Sequence, residues 1–315
     1  MHRPWILNQL LSFVLLALVC PFPAQGTKTR KDLCGVSMHA RDFPDRGSFS
    51  AVEATFTVPQ VAYDPIYDPA VTGKHHQNAS YFPYVNNCVA LCCGDDCSTR
   101  LSAGVQAFSL AGVDSFTASI VFQIGPVFAP ETIRDERFQF NSSDTVWVRL
   151  EILQPQLARI TFTKFQQSDS TNHTIRVEIG IAQSPEGDPI ASISTSGLGQ
   201  QDKPWLSRGE QGVPTPSLCG DSAWWYVSDM FDAGESAERP ERLPRFSPVL
   251  IANHGLEASN GQGTISWPSN LVWSGEARFW NMVRDEGGKT EELCRIRGFV
   301  DSGMTLVQSS NPWMV

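Results

Sequence analysis

Residues 49–58 read FSAVEATFTV, and this stretch decides the fold class. Apolar and polar side chains alternate along it with a period of two, which is the signature of a half-buried β-strand. The apolar face comprises Val52, Ala54, Phe56 and Val58, and the polar face comprises Glu53, Thr55 and Thr57. The stretch therefore predicts a strand with one face on a core and the other toward solvent.

Similar strand signals recur along the rest of the chain, and turn-forming clusters such as Glu186–Pro189 separate them. No stretch shows a sustained helical period. The pattern predicts an all-β fold, an antiparallel β-sandwich, in one domain over residues 33–308. Two polar stretches rich in Pro, Gly or charge, 199–216 and 232–244, are interpreted as long loops. The further predicted strands are Leu101–Leu110, Phe116–Ile124, Val146–Leu153, Arg159–Phe165, Ile175–Ile181, Ala223–Val227, Val249–Ala252, Gly263–Trp267, Ala277–Val283 and Gly298–Val307.

The N-terminus has the pattern of a secretory signal. His2 and Arg3 form a short positively charged region, which precedes an apolar run from Leu10 to Val19. Small residues follow this run. We expect residues 1–26 to be a signal peptide and the mature protein to be extracellular. Residues 27–32 are expected to form a tail, in which the dibasic pair Arg30-Lys31 either marks a short pro-segment or is simply solvated. Residues 309–315 are expected to form a C-terminal tail.

Composition excludes some classes of partner. The chain of 315 residues has 24 Lys and Arg against 33 Asp and Glu, a formal net charge of −9. A nucleic-acid binder needs a basic face, so no nucleic-acid partner is expected. No apolar run after the signal is long enough to span a membrane. The sequence does not indicate an oligomeric state.

Seven cysteines remain once Cys20 leaves with the signal, and an oxidising compartment favours their pairing. The odd number leaves one cysteine free or in an intermolecular bond. A zinc knuckle at residues 88–97 is the weaker reading, because the spacing fits no common zinc pattern and no paired His lies nearby; no metal and no cofactor are expected. Glycosylation is predicted at the sequons of Asn78, Asn141 and Asn172. The disulfide candidates are Cys34, Cys88, Cys92, Cys93, Cys97, Cys219 and Cys294.

Catalytic motifs are sparse. A serine nucleophile needs a neighbouring His, and the chain has no G-x-S-x-G motif and only five mature His residues, at 39, 75, 76, 173 and 254. A pair of strand carboxylates would suit a glycosidase, but each alternates opposite an apolar face and is better explained as solvated. These carboxylates are Glu53, Glu151, Glu178 and Glu276. Clustered aromatics at Trp224-Trp225-Tyr226 suit either a core or a face that stacks sugars or peptides.

Six segments, in order, give the chain a resemblance to the glutamic peptidases (eqolisins). The strand 49–59 ends in Val-Pro as in that family, and Leu218–Val227 is similar to its Ala-Glu-Trp-Ile-Val-Glu strand. The other segments are Leu101–Gln106, Phe122–Pro126, Phe138–Val146 and Arg245–Val249. The resemblance implies a sandwich of two bent sheets, related to the concanavalin A-like jelly roll, whose concave groove binds an extended peptide.

The resemblance also implies which residues would carry catalysis. In the family a Glu acts as general base on a water that a Gln positions. Here those positions hold Trp224 and Ser102, and a further groove Glu is replaced by Gln123. Trp cannot exchange a proton at a useful pH, and a Ser hydroxyl is no general base. The implied groove residues are Ser102, Gln106, Gln123, Trp224 and Tyr226.

Three hypotheses about function follow. The first is a catalytically silent relative that binds an extended peptide or a glycan in the groove. The second is an active acid endopeptidase with a relocated pair that uses Asp221 or Asp229. The third is a secreted sandwich with another role, such as a wall or surface protein.

Overall fold

The computed structural model describes residues 28–30, 33–43, 47–62, 84–94, 97, 99–109, 116–133, 135, 138–142, 144–165, 172–198, 204–228, 245–258, 264–266, 277–286, 288–300 and 303–308. These residues form twenty β-strands and one 3-10 turn at Ala40–Asp42, and they contain no α-helix. The all-β prediction is therefore confirmed. No helix in the described part of the chain has the length and apolar character needed to cross a membrane.

The strands are numbered in chain order. Their bounds are β1 Lys28–Arg30, β2 Leu33–His39, β3 Phe49–Thr57, β4 Val61–Ala62, β5 Tyr84–Cys93, β6 Thr99–Ser109, β7 Phe116–Gly125, β8 Glu131–Ile133, β9 Thr145–Gln154, β10 Leu157–Phe165, β11 Asn172–Gln183, β12 Pro189–Ser196, β13 Trp205–Arg208, β14 Ser222–Ser228, β15 Arg245–Phe246, β16 Val249–Ala258, β17 Thr264–Ser266, β18 Ala277–Glu286, β19 Lys289–Val300 and β20 Gly303–Gln308.

Two layers of strands make up the fold. The first runs β8-β7-β6-β5-β14-β2-β18, and the second runs β13-β12-β11-β10-β9-β3-β16. Strands β19 and β20 connect β18 to β16, so hydrogen bonding continues through 18 strands. All pairings are antiparallel except that of β1 with β18.

The core lies between the layers. Alternate residues of each strand enter it, as the period-two pattern requires. One hydrogen bond ties the layers at their centre: the buried indole Nε1 of Trp225 on β14 donates to the backbone oxygen of Glu53 on β3 over 3.0 Å. The strand predicted from FSAVEATFTV is β3, and Val52, Ala54 and Phe56 are fully buried in this core.

Two segments differ from the sequence expectation. Residues 27–32 were expected to form a solvated tail, whereas Lys28–Arg30 add as a strand to β18. The stretch 199–216 was interpreted as a loop, but Trp205–Arg208 pair with the edge of β12. Both strands are short, and three or four residues are too few for a period to stand out. The stretch 232–244 lies outside the described residues.

Candidate functional site

Six neighbouring strands of the first layer bring residues from distant parts of the sequence into one transverse row. Ser102 pairs with Gln123 on one side and Ala90 on the other, and Trp224 pairs with Ala90 and Ser37. Side chains in one row of a sheet share a face. We call this the site face: it carries Ser102 and Trp224 and lies opposite Trp225 and the core. Arg278 ends the row next to Ser37.

All five groove residues that the resemblance implied lie on the site face. Ser102, Gln123 and Trp224 are in the row just described. Tyr226 lies one row away, next to Cys88, and Gln106 lies a further row on, next to Asn86. Gln106 is four strand residues from Ser102, which is about 13 Å along the strand.

The site face is closed, unlike the open groove that the resemblance implied. Ser102 is 0% exposed, and Gln123, Trp224 and Tyr226 are each 1% exposed. Gln106 is half-buried, and its Nε2 donates to Asn86 Oδ1 over 3.2 Å. Gln123 Nε2 donates to the backbone oxygen of Phe128 over 3.3 Å. Among the described residues the Ser102 hydroxyl has no hydrogen-bond partner, so none of them activates it as a nucleophile.

Two indoles and the N-terminal strand close one end of the site face. The ring centroids of Trp224 and Trp280 lie 5.4 Å apart, with the planes tilted by 31°. The Arg30 guanidinium lies over both, with its Cζ 5.4 Å from the Trp224 centroid and 5.8 Å from that of Trp280. Lys28 Nζ lies 5.3 Å from the Trp280 centroid. We call Trp224 and Trp280 the indole pair.

Buried serines orient both indoles. Trp224 Nε1 donates to Ser222 Oγ over 3.0 Å, and Trp280 Nε1 donates to Ser37 Oγ over 2.8 Å. Ser37 Oγ also lies 3.3 Å from His39 Nε2, so the fold does bring a Ser and a His together. Both residues are fully buried, and the serine oxygen accepts a hydrogen bond from Trp280. This Ser–His pair therefore anchors an indole instead of presenting a nucleophile.

A buried thiol lies in the next row. Cys88 is the free cysteine among the described residues. Burial raises the pKa of its thiol to about 12, against smaller opposing effects of Arg100 and of a hydrogen bond with Tyr226. A thiol with so high a pKa is protonated at physiological pH and is a poor nucleophile. Cys88 is thus a packed core residue.

The other six cysteines form three disulfides: Cys34–Cys294, Cys92–Cys97 and Cys93–Cys219. Disulfides were expected, and the odd thiol is Cys88. No group of three or more His, Cys, Asp or Glu in the described part of the chain is arranged to hold a metal.

The candidate carboxylates are scattered. Asp221 Oδ2 accepts from the backbone N of Gly94 over 2.8 Å at an exposed turn, outside strand β14. Glu53 and Glu151 lie on the outer face of the second layer, where Arg149 bridges them, and Glu178 pairs with Arg159. Asp229 and Glu276 lie outside the described residues. The predicted solvated face therefore carries ion pairs: Arg149 joins Glu53 and Glu151, and Arg159 pairs separately with Glu178.

An amide–carboxylate pair that sequence reasoning missed joins β18 to β19. Asn281 Nδ2 donates to Glu292 Oε2 over 2.7 Å, and both side chains are half-buried. The pairing of β18 with β19 shifts register between Met282 and Val283. The sequence alone therefore gave no signal that Asn281 and Glu292 meet.

Two of the three predicted glycosylation sites lie among the described residues. Asn141 and Asn172 are exposed, as a modified asparagine must be, and Asn78 lies outside the described residues, as do His75 and His76.

The fold and the match to a family model together define the class. The model described as the peptidase A4 family matches residues 31–187. The chain belongs to this family, the glutamic peptidases. The matched range contains Ser102 and Gln123 and ends before Trp224.

Solved glutamic peptidases share the fold. Scytalido-glutamic peptidase with a transition state analog inhibitor superposes with a TM-score of 0.52 at 12% identity, over 89% of this chain and 100% of the other. The same enzyme with a peptide based transition state analog gives 0.51 at 10% identity, with the same coverage. No curated protein matches the chain.

Proposed function

We propose that this chain is a secreted, catalytically silent glutamic peptidase relative that binds an extended peptide at the edge of the site face, where β1 adds to β18. The observation that carries the proposal is the row Gln123, Ser102, Ala90, Trp224. The residues that the resemblance assigns to the family's two catalytic positions flank a small alanine. Two strand spacings, about 10 Å, separate their backbones, a span across which Gln and Glu side chains could converge on one water.

Ser102 and Trp224 cannot perform that chemistry. An acid peptidase needs a group that takes a proton from water and later returns it to the leaving amine. The indole of Trp224 only donates, and its N–H is already bound to Ser222. The Ser102 hydroxyl is buried, and no residue in the described part of the chain forms a hydrogen bond with it. At the far end of the row Arg278 pairs with Asp42 over 2.9 Å, which holds that carboxylate in an ion pair.

A peptide fits this site better than a glycan does. Strand β1 is itself a peptide segment that pairs with β18 through backbone hydrogen bonds. A peptide ligand can add to a sheet in this way, whereas a sugar has no peptide backbone to pair. The sugar-stacking faces of the indole pair are engaged by Arg30 and Lys28.

Export is supported by the residues themselves. Three disulfides are typical of an oxidising compartment. Exposed sequons at Asn141 and Asn172, together with the signal pattern of residues 1–26, complete the proposal of a secreted glycoprotein.

An acid endopeptidase with a relocated pair is the second candidate, and Asn281 with Glu292 is the observation that favours it. The amide of Asn281 beside the carboxylate of Glu292 supplies the same two functional groups as the Gln and Glu pair of the family, at a different position in the fold. Against it, the two side chains bond directly over 2.7 Å, which leaves no room for a water between them.

The test compares the mature chain with two variants, using an extended peptide library at pH 4 and analysis of the products by mass spectrometry. The proposal expects the mature chain to bind peptides from the library without cleaving them, and it expects the Glu292→Gln variant to give the same result. Ser102→Gln/Trp224→Glu serves as the comparison that restores the family pair. Cleavage by the mature chain that Glu292→Gln abolishes would replace the proposal with the second candidate.

A further inference from the structure

Three cation–aromatic contacts come from one strand of three residues. Lys28 engages Trp280, and Arg30 engages both Trp280 and Trp224. Energetically significant contacts of this type occur on the order of once per 70–80 residues. Their concentration on β1 indicates a built recognition site at the indole pair.

Each ring of the indole pair is also held by a hydrogen bond that does not involve the cations. The bonds from Trp224 to Ser222 and from Trp280 to Ser37 fix both rings through buried strand residues. Gly35 lies between Trp280 and Tyr226 in one row of the sheet, where a Cβ would overlap the backbone oxygen of Trp225 and come within 2.8 Å of Tyr226 Cβ, so the sheet beside the indole pair is closely packed. A site whose aromatic faces are held in place loses little freedom when it binds a cation.

The backbone defines the register of the recognised segment. Lys28 pairs with Trp280, Thr29 with Asn281 and Arg30 with Met282, in parallel. Residues two apart in a strand share a face, so both cations of the Lys-Thr-Arg segment point to the indole pair. Lys28 is exposed and Arg30 half-buried, which places this end of the site next to solvent.

We infer that the indole pair is an arginine-binding site for an extended peptide of the pattern basic–any residue–Arg, which adds in parallel to β18. The chain's own Lys28–Arg30 segment occupies the site in cis. This inference rests on the proposed function, since it specifies the peptide. A tethered segment has an effective concentration in the millimolar range, so a peptide in solution competes poorly until that segment is weakened or removed.

The experiment uses the mature chain, a Lys28→Ala/Arg30→Ala variant and a matched control, Arg41→Ala/Lys289→Ala, which removes two exposed cations elsewhere. The probes are nine-residue peptides centred on Lys-Thr-Arg or on Lys-Thr-Gln. Binding is measured by calorimetry and by the indole N–H signals of Trp224 and Trp280 in NMR spectra. Substituting surface cations leaves the core intact, which circular dichroism verifies.

The inference expects the Lys28→Ala/Arg30→Ala variant to bind the arginine peptide at least about ten-fold more tightly than the mature chain or the control does. It expects the glutamine peptide to bind about ten-fold more weakly to that variant, because it lacks the contacts to the two indoles. Trp280→Phe in the same background should reduce the preference and keep the packing.

Equal affinity for the two peptides, or no binding of the arginine peptide by the variant, would overturn the inference. Cleavage of the bound peptide would instead refute the silent function and leave the arginine preference standing. The two failures are therefore distinguishable.

Discussion

Ser102 and Trp224 lie in one row of the sheet, on either side of Ala90. The resemblance to the glutamic peptidases assigned these residues to the family's catalytic positions from two separate segments. The register of three strands brings them together on one face. Their identities, a hydroxyl and an indole, supply no group that can act as both base and acid.

Loss of the buried indole should cost more stability than loss of its partner. Trp224 is 1% exposed and Trp280 is half-buried. We expect Trp224→Ala to lower the free energy of unfolding by about 3–5 kcal/mol and Trp280→Ala by about 1–2 kcal/mol. Urea denaturation measures both values. Equal losses would contradict the described packing.

The thiol of Cys88 should not react with thiol reagents in the folded protein. Because burial raises its pKa to about 12, the folded protein at pH 8 has almost no thiolate at this position. We expect a disulfide-exchange reagent to detect no thiol in the native mature chain and one thiol after unfolding in denaturant. Rapid labelling of the native chain would show that Cys88 is accessible.

The same thiol gives a pH dependence with a defined sign. An ordinary thiol ionises near pH 9 in the unfolded chain, whereas the folded chain holds the proton until about pH 12. The unfolded state therefore binds fewer protons in this interval, and the stabilising contribution present below pH 9 is lost as pH rises. Cys88→Ala should reduce the fall in unfolding free energy between pH 9 and 10, and an unchanged fall would contradict this origin.

Arg149 should contribute more stability than an arginine in an isolated ion pair, because three glutamates surround it. It bonds Glu53, Glu151 and Glu257 at 3.0, 3.1 and 2.7 Å. Burial alone would lower the pKa of Arg149, but the hydrogen bonds that its guanidinium donates to these three glutamates outweigh burial and raise the pKa. We expect Arg149→Met to cost about 1–3 kcal/mol at pH 7.

Arg159→Met is the matched control, since the Arg159–Glu178 pair is more exposed and isolated and should contribute less than about 1 kcal/mol. Urea denaturation of both variants at pH 7 measures the two costs, and equal costs for Arg149→Met and Arg159→Met would be the contrary result.

Half-buried strands could be predicted from the sequence, whereas two strands that are buried on both faces, β2 and β5, were missed. In β9 and β11 buried and exposed positions alternate over most of their length, so period two is visible. Every residue of β2 is buried, and so is every described side chain of β5 from Val85 to Cys92. Because the site face is closed as well as the core face, these two strands show no alternation, and both went undetected.

The sequence predicted which segments carry the candidate site, but it did not predict the tertiary contacts of the site residues. The segments around Ser102 and Trp224 matched a known pattern, and strand alternation put Gln106 on the same face as Ser102. Nothing local in Lys28–Arg30 signals a contact with Trp224, which lies nearly 200 residues further along the chain. The partners of Trp280 and the free state of Cys88 likewise depend on tertiary packing, which no periodicity encodes.

The most direct test of the central claim is cleavage of a denatured protein substrate by the purified mature chain, measured from pH 2 to pH 7. The account predicts no product at any pH, because neither Ser102 nor Trp224 can activate water. Activity that peaks at acid pH and survives Ser102→Ala and Trp224→Phe would contradict it, and would show that a peptidase site lies elsewhere in the chain.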